Sequence, residues 1–117
     1  MNILFIHYNP EMEVEIQEYL SFHKRTGFFA RNTEQSIRIL NNYVISLVVL
    51  QINNLRDAAI LKYINENYKH LEVLIMASKE YDDIISIFSK GRYKLSRQTQ
   101  HLSELKENID NLCHIEL

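Results

Sequence analysis

VVLQIN, residues 48–53, is an apolar run that meets an amide at Gln51 and then a polar corner, Asn53-Asn54. Together with Val44, Ile45 and Leu47 it reads as a strand over residues 44–50 that is apolar on both alternating sides. A strand with one face in water alternates apolar and polar residues; one without alternation is covered on both faces, as in parallel sheets flanked by helices. Residues 71–77, LEVLIMA, repeat the pattern, and residues 2–7, NILFIH, come close to it. Shorter strands are expected at residues 27–30 and 93–96.

Helical periods fill the intervals. Asn9-Pro10-Glu11 is a strong helix start, since the Asn caps, the Pro lacks only an N–H that the first turn does not use, and the acid meets the positive end of the helix dipole. Met12, Ile16, Tyr19, Leu20 and His23 follow at helical spacing. Thr33 is the expected cap of a second helix carrying Ile37, Leu40 and Tyr43, and Asp57 the expected opening of a third with Ile60, Leu61, Ile64 and Tyr68. Tyr81, Ile84, Ile85 and Phe88 mark a fourth, which Gly91 is placed to end in a left-handed turn. Leu102, Leu105, Ile109 and Leu112 give the last helix its apolar stripe. Five strands alternating with helices predict an α/β protein, a (βα)5 three-layer sandwich on a parallel five-stranded sheet, as one domain over residues 1–117.

Composition fits this and narrows the function classes. In 117 residues, 46% are hydrophobic and 24% charged, with two glycines and one proline, so little punctuation separates a second domain. No apolar stretch approaches the roughly 20 residues of a membrane span, and Met1-Asn2 leads into a strand with no leader pattern; a cytoplasmic protein is expected. The single cysteine, Cys113, suits packing and not a disulfide or a zinc site. A net charge of −2 argues against a nucleic-acid surface, although Glu11, Glu13, Glu15 and Glu18 sit near one end and Lys90, Arg92, Lys94 and Arg97 near the other. Basic and aromatic residues at Arg92, Tyr93, Lys94 and Arg97 are the mixture that binds single-stranded nucleic acid. The acids Glu104, Glu107 and Asp110 of the last helix make a mixed-charge surface the better reading.

Parallel α/β sheets carry function beyond the carboxyl ends of their strands. That places His7, Tyr8 and Asn9, then Gln51, Ala77 and Ser78, and the segment around Arg97 and Gln98, at the functional edge. With the strings NILFIHYNPEMEVEIQEYL, SLVVLQI and VLIMAS, the chain resembles the receiver domain of bacterial two-component response regulators over nearly its whole length. The resemblance implies the strand order 2-1-3-4-5. It also implies where chemistry should be: an acidic pair that helps hold magnesium falls at His7 and Tyr8, the phosphoryl-accepting aspartate at Gln51, the hydroxyl that senses the phosphoryl group at Ala77 with Ser78 beside it, and the lysine after the fifth strand at Gln98 or Arg97.

None of those residue types is kept. Magnesium favours carboxylate and water oxygens, which imidazole, phenol and amide do not replace. An amide has a delocalised lone pair and no charge with which to attack phosphorus. The expectation is a pseudo-receiver with no catalytic residue, metal or cofactor, working through a protein partner or as a homodimer and binding neither nucleic acid nor membrane directly. The resemblance places its contact face at Tyr81, Lys90, Arg92, Tyr93, Lys94, Arg97, Glu104 and Glu107, where opposite charges suit a two-fold contact.

Two other readings stay open. His7, Tyr8 and Gln51 can be read as a small-molecule or enzyme site on a flavodoxin-like scaffold, against the plainer reading that they fill a vacated pocket. The turn HYNP is bulky where phosphate loops are small. Alternatively, the chain is the amino-terminal regulatory part of a longer DNA-binding regulator. Ser78 beside Lys79 reads as a helix cap before it reads as a nucleophile with a base. Imidazole is the side chain that ordinarily titrates closest to neutral pH, which makes His7 the candidate for a pH response.

Overall fold

The computed structural model describes residues 1–89, 93–97 and 102–114. Strand β1 spans Asn2–Ile6, and a 3₁₀ turn, Pro10–Met12, leads into helix α1, Glu13–Phe22. Then come β2 (Thr26–Ala30), α2 (Thr33–Asn42) and β3 (Leu47–Ile52). A second 3₁₀ turn, Leu55–Ala58, opens α3 (Ala59–Asn67), followed by β4 (Glu72–Ala77) and a third, Lys79–Tyr81. The chain finishes with α4 (Asp82–Ser89), β5 (Lys94–Arg97) and α5 (Leu102–His114).

All pairings are parallel and the sheet order is β2-β1-β3-β4-β5. The chain steps outward from β1 to β2 and then returns to the far side of β1 for β3. This reversal falls at the carboxyl ends of β1 and β3, the place where such sheets bind ligands.

Alternate residues of each strand feed different cores. Leu4, Ile6, Val48, Leu50, Ile52, Val73, Ile75 and Ala77 meet Ile60, Leu61 and Ile64 of α3 and Ile85 of α4. Ile3, Phe5, Leu47, Val49, Leu74 and Met76 meet Ile16 and Leu20 of α1 and Leu105, Ile109 and Leu112 of α5. Both faces are dry, which is why the central strands lack alternation in sequence. Each fully buried Leu, Ile or Val contributes about 1.5–3 kcal/mol of transfer free energy. Gly27 in β2 lies under α1: a Cβ there would stand 2.8 Å from Leu20 Cδ1, so the glycine permits close helix–sheet packing.

Several element ends differ from the sequence reading. Residues 44–46 precede β3: Asn2 Nδ2 donates to the Val44 carbonyl and the Ser46 amide to the Asn2 carbonyl, so pairing starts at Ile3 against Leu47. Val44 is 85% exposed, and β3 continues through Gln51 to Ile52. Asn32, not Thr33, caps α2, its side chain accepting from the Gln35 amide at 2.8 Å. Thr33 has the right chemistry, but Asn32 is the residue held in the extended conformation that an N-cap requires. Asn54, not Asp57, caps the turn before α3. Asn9 caps as expected, accepting from the Glu11 amide at 3.0 Å. Gly91 lies outside the described residues.

Candidate functional site

The carboxyl edge is shaped by one backbone feature, the left-handed conformation of His7 at φ 59°. Strand alternation alone would send His7 to the side of Phe5 and Tyr8 to the opposite side. The left-handed residue breaks that phase. Tyr8 joins the α1/α5 core, 9% exposed, with its ring centroid 5.4 Å from that of Phe5. The His7 amide still donates to the Ala30 carbonyl at 2.9 Å, and its ring reaches across to the turn after β3.

There the imidazole meets Asp57. His7 Nε2 lies 3.4 Å from Asp57 Oδ1, with side chains 17% and 10% exposed. The contact lacks hydrogen-bond geometry, leaving Nε2 a buried nitrogen without a hydrogen-bond partner among the described residues. Asp57 is well held otherwise: Oδ2 accepts from the Asn53 amide at 2.8 Å and the Asn54 amide at 3.2 Å. Asn54 Oδ1 returns the favour to the amides of Arg56 and Asp57, completing a capping box.

Gln51 is half-buried on β3, and its Nε2 donates to Asn53 Oδ1 at 3.3 Å. Its hydrogen bond therefore goes to its own strand's turn and not to His7 or Tyr8. Ala77 ends β4 fully buried in the α3/α4 core, in register with Ile52. Ser78 occupies the N-cap position before the third 3₁₀ turn without capping it; its hydroxyl donates to Glu80 Oε1 at 3.0 Å. Gln98 lies outside the described residues.

Of the expected contact face, Tyr81 points to the carboxyl edge, where its hydroxyl donates to the Asn53 carbonyl at 2.8 Å. Tyr93 packs against the α3/α4 core, its hydroxyl 3.4 Å from Ser86 Oγ. Glu104 and Glu107 are exposed on α5. Lys94 and Arg97 belong to β5, and Lys90 and Arg92 lie outside the described residues.

Sequence reading missed Asp57 as a site residue, treating it as a helix opening. A signal was present, because Asn54 and Asp57 stand at the three-residue spacing of a capping box. It also missed a cluster at the amino edge. Arg25 donates to Asp110 Oδ1 at 2.8 Å, and the Tyr19 hydroxyl donates to the same oxygen and to the Lys106 carbonyl. Lys106 Nζ lies 5.3 Å from the Tyr19 ring centroid. Burial would raise the Asp110 carboxyl, but the hydrogen bonds from Arg25 and Tyr19 outweigh it and hold the group below the usual carboxylate range. Burial, and then the bond to Asp110, push the Tyr19 phenol up to about 12.

No protein-family model and no curated protein sequence matches the chain. Solved structures do. The receiver domain of TorR, a response regulator of the TMAO respiratory system, superposes with a TM-score of 0.77 at 16% identity, over 97% of this chain and 96% of that one. The fold is that of receiver domains. A CheY-like receiver domain from Methanospirillum hungatei matches with a TM-score of 0.77 at 15% identity, over 98% of this chain and 95% of its own. The response regulator TrrA from Thermotoga maritima, solved in complex with Mg2+ and BeF, matches at 0.72 and 19% identity, over 95% and 97% of the two chains.

On this receiver-type scaffold the described residues at the carboxyl edge do not fit a magnesium ion. The Tyr8 phenol, pushed up to about 12 by burial and then by the charge of Glu15, is neutral near pH 7. Gln51 offers an uncharged amide. Asp57 is a carboxylate, but one of its oxygens is taken by two backbone amides and the other faces the His7 imidazole. Among the described residues there is no group of three or more His, Cys, Asp or Glu placed to hold a metal ion.

Proposed function

We propose that this chain is a receiver-like signalling module that works without phosphorylation, by contact with a protein partner or a second copy of itself. The observation that carries it is the pairing of Gln51, an amide where an aspartyl nucleophile would be needed, with an edge whose buried carboxylate, Asp57, is committed to capping its own turn. Phosphoryl transfer to protein depends on a nucleophile and on metal-assisted charge neutralisation. Neither is supplied by these side chains.

The test is a titration with beryllofluoride and magnesium, followed through the backbone amide signals around residue 51. No saturable shift is expected below millimolar metal, either for the native chain or for Gln51→Asp, because the buried carboxylate of this edge, Asp57, is already engaged by the Asn53 and Asn54 amides. A saturable response of the native chain would overturn the proposal.

Output through the face formed by α4, β5 and α5 is supported by Ile87, which is 65% exposed on α4. An exposed isoleucine is the kind of apolar side chain that forms the centre of a contact patch. Light scattering at high concentration should show self-association that Ile87→Glu, or Arg97→Glu, reduces; a monomeric mass for native and variant alike would leave a heterologous partner as the remaining mode. The chain matches 27% of NtrX from Brucella abortus, with a TM-score of 0.76 at 16% identity, which favours the reading that this fold can also serve within a longer protein.

A further inference from the structure

We propose that His7 and Asp57 form a proton-operated latch across the carboxyl edge, in which a protonated imidazole holds the turn after β3 against the end of β1. It deepens the proposed function by naming an input that needs no phosphoryl group.

Three features converge on the pair. His7 Nε2 is buried and makes no hydrogen bond among the described residues, while Asp57 Oδ1 stands 3.4 Å away. The other oxygen, Oδ2, is engaged by the amides of Asn53 and Asn54, so the carboxylate is fixed in place with one oxygen left for the ring. The ring itself is carried there by a backbone at φ 59°, a conformation that costs an L-residue free energy and persists where surrounding structure enforces it.

A neutral imidazole has one N–H and one lone pair. With the lone pair on Nε2, two acceptors face one another; with the hydrogen there, a neutral donor meets the carboxylate, a weaker bond than the protonated ring would make. When the ring takes one proton from solvent, both nitrogens carry hydrogen and the charge of the pair goes from −1 to zero, and a small turn of the ring from the present 3.4 Å contact brings Nε2–H onto Oδ1 in a charge-assisted hydrogen bond. The protonated ring favours the latched state, so the stabilisation is present at acid pH and is lost as pH rises and the ring gives up its proton.

Neighbouring charged groups have other engagements. Glu13 of α1 pairs with Arg31, beyond β2, at 3.0 Å, and Glu80 accepts from Ser78. The Tyr8 phenol, at about 12, is neutral throughout the range in which histidine titrates. Arg56 and Lys79 are exposed on the two turns. Among the described residues, Asp57 supplies the only carboxylate within 4.0 Å of a His7 ring nitrogen. The latch has a mechanical outlet: the Asn53 carbonyl of the same turn accepts the Tyr81 hydroxyl, next to α4.

The test is a double-mutant cycle of His7→Asn and Asp57→Asn, read by denaturant unfolding at about pH 5.5 and about pH 8. Asn tolerates the left-handed conformation at position 7 and, at position 57, keeps an oxygen for the two amides. The expected coupling is about fivefold or more in the unfolding equilibrium constant at the acid value, falling below about twofold at the alkaline one. Equal coupling at both values, or none at either, would overturn the latch. Should a variant fail to fold, the native chain suffices: the imidazole nitrogen signals and the amides of residues 53–57 should titrate together, and a ring that titrates without moving those amides has the same consequence. Either failure leaves the beryllofluoride result untouched, so the latch and the phosphorylation-independent function stand or fall separately.

Discussion

The two edges of the sheet each bring a carboxylate against a basic side chain from an element far away in sequence, and they are built differently. At the amino edge Arg25 and Asp110 meet at 2.8 Å, the Tyr19 hydroxyl completes the bonding, and the arrangement ties α1 and the turn after it to α5. At the carboxyl edge His7 and Asp57 stand at 3.4 Å with a ring nitrogen unsatisfied. The first is a finished clasp between a permanently charged guanidinium and a carboxylate. The second is an imidazole held near a carboxylate without closing a hydrogen bond on it. Completeness at one edge and an unmet donor position at the other separate scaffold from candidate switch.

The sharpest way to break this contrast is Asp57→Ala. Both backbone amides held by Oδ2 lose their partner together with the capping box, and we expect a destabilisation of about 2–3 kcal/mol, measured by denaturant unfolding. A loss below about 0.5 kcal/mol would show that the turn is held by other means.

A smaller effect is expected from Arg25→Ala, about 1 kcal/mol, because the Asp110 side chain is 46% exposed and solvent screens the pair. Its pH dependence should run opposite to that of the latch. Asp110 is held below the usual carboxylate range when folded, so its contribution is complete above the ordinary carboxylate values and disappears as pH falls through the folded one. Removing Arg25 should therefore flatten the acid limb of the stability profile. An unchanged acid limb would assign that limb to other carboxylates.

The sheet was legible because burial on both faces writes itself into strands such as residues 47–50 and 73–77 as unbroken apolar runs. Asn9-Pro10 was legible because its capping chemistry is local. The ends were less so. Thr33 and Asn32 are both good caps by composition, and only the backbone conformation of Asn32 decides between them. Val44 looks like strand, but Asn2 bonds its carbonyl through a side chain before pairing begins at Leu47.

Position in the topology singled out His7, Tyr8 and Gln51, of which the structure brings His7 to Asp57, Tyr8 into the α1/α5 core and Gln51 to Asn53. That His7 should turn away from the phase of its own strand is not encoded in any spacing, since a left-handed histidine looks in sequence like any other. The partner it finds, Asp57, lies 50 positions along the chain and had a sufficient local role as part of a helix start.

The division of each strand between two cores has a consequence for how such a protein can change over time. Substitutions at Leu4, Val48 or Ile75 are felt by α2, α3 and α4, while those at Phe5, Val49 or Leu74 are felt by α1 and α5. The sheet stands between them, so repacking on one side need not be matched on the other. A lineage can thus remodel the helices on one side of the sheet while those on the other stay as they were, and two surfaces of one small domain can acquire separate histories.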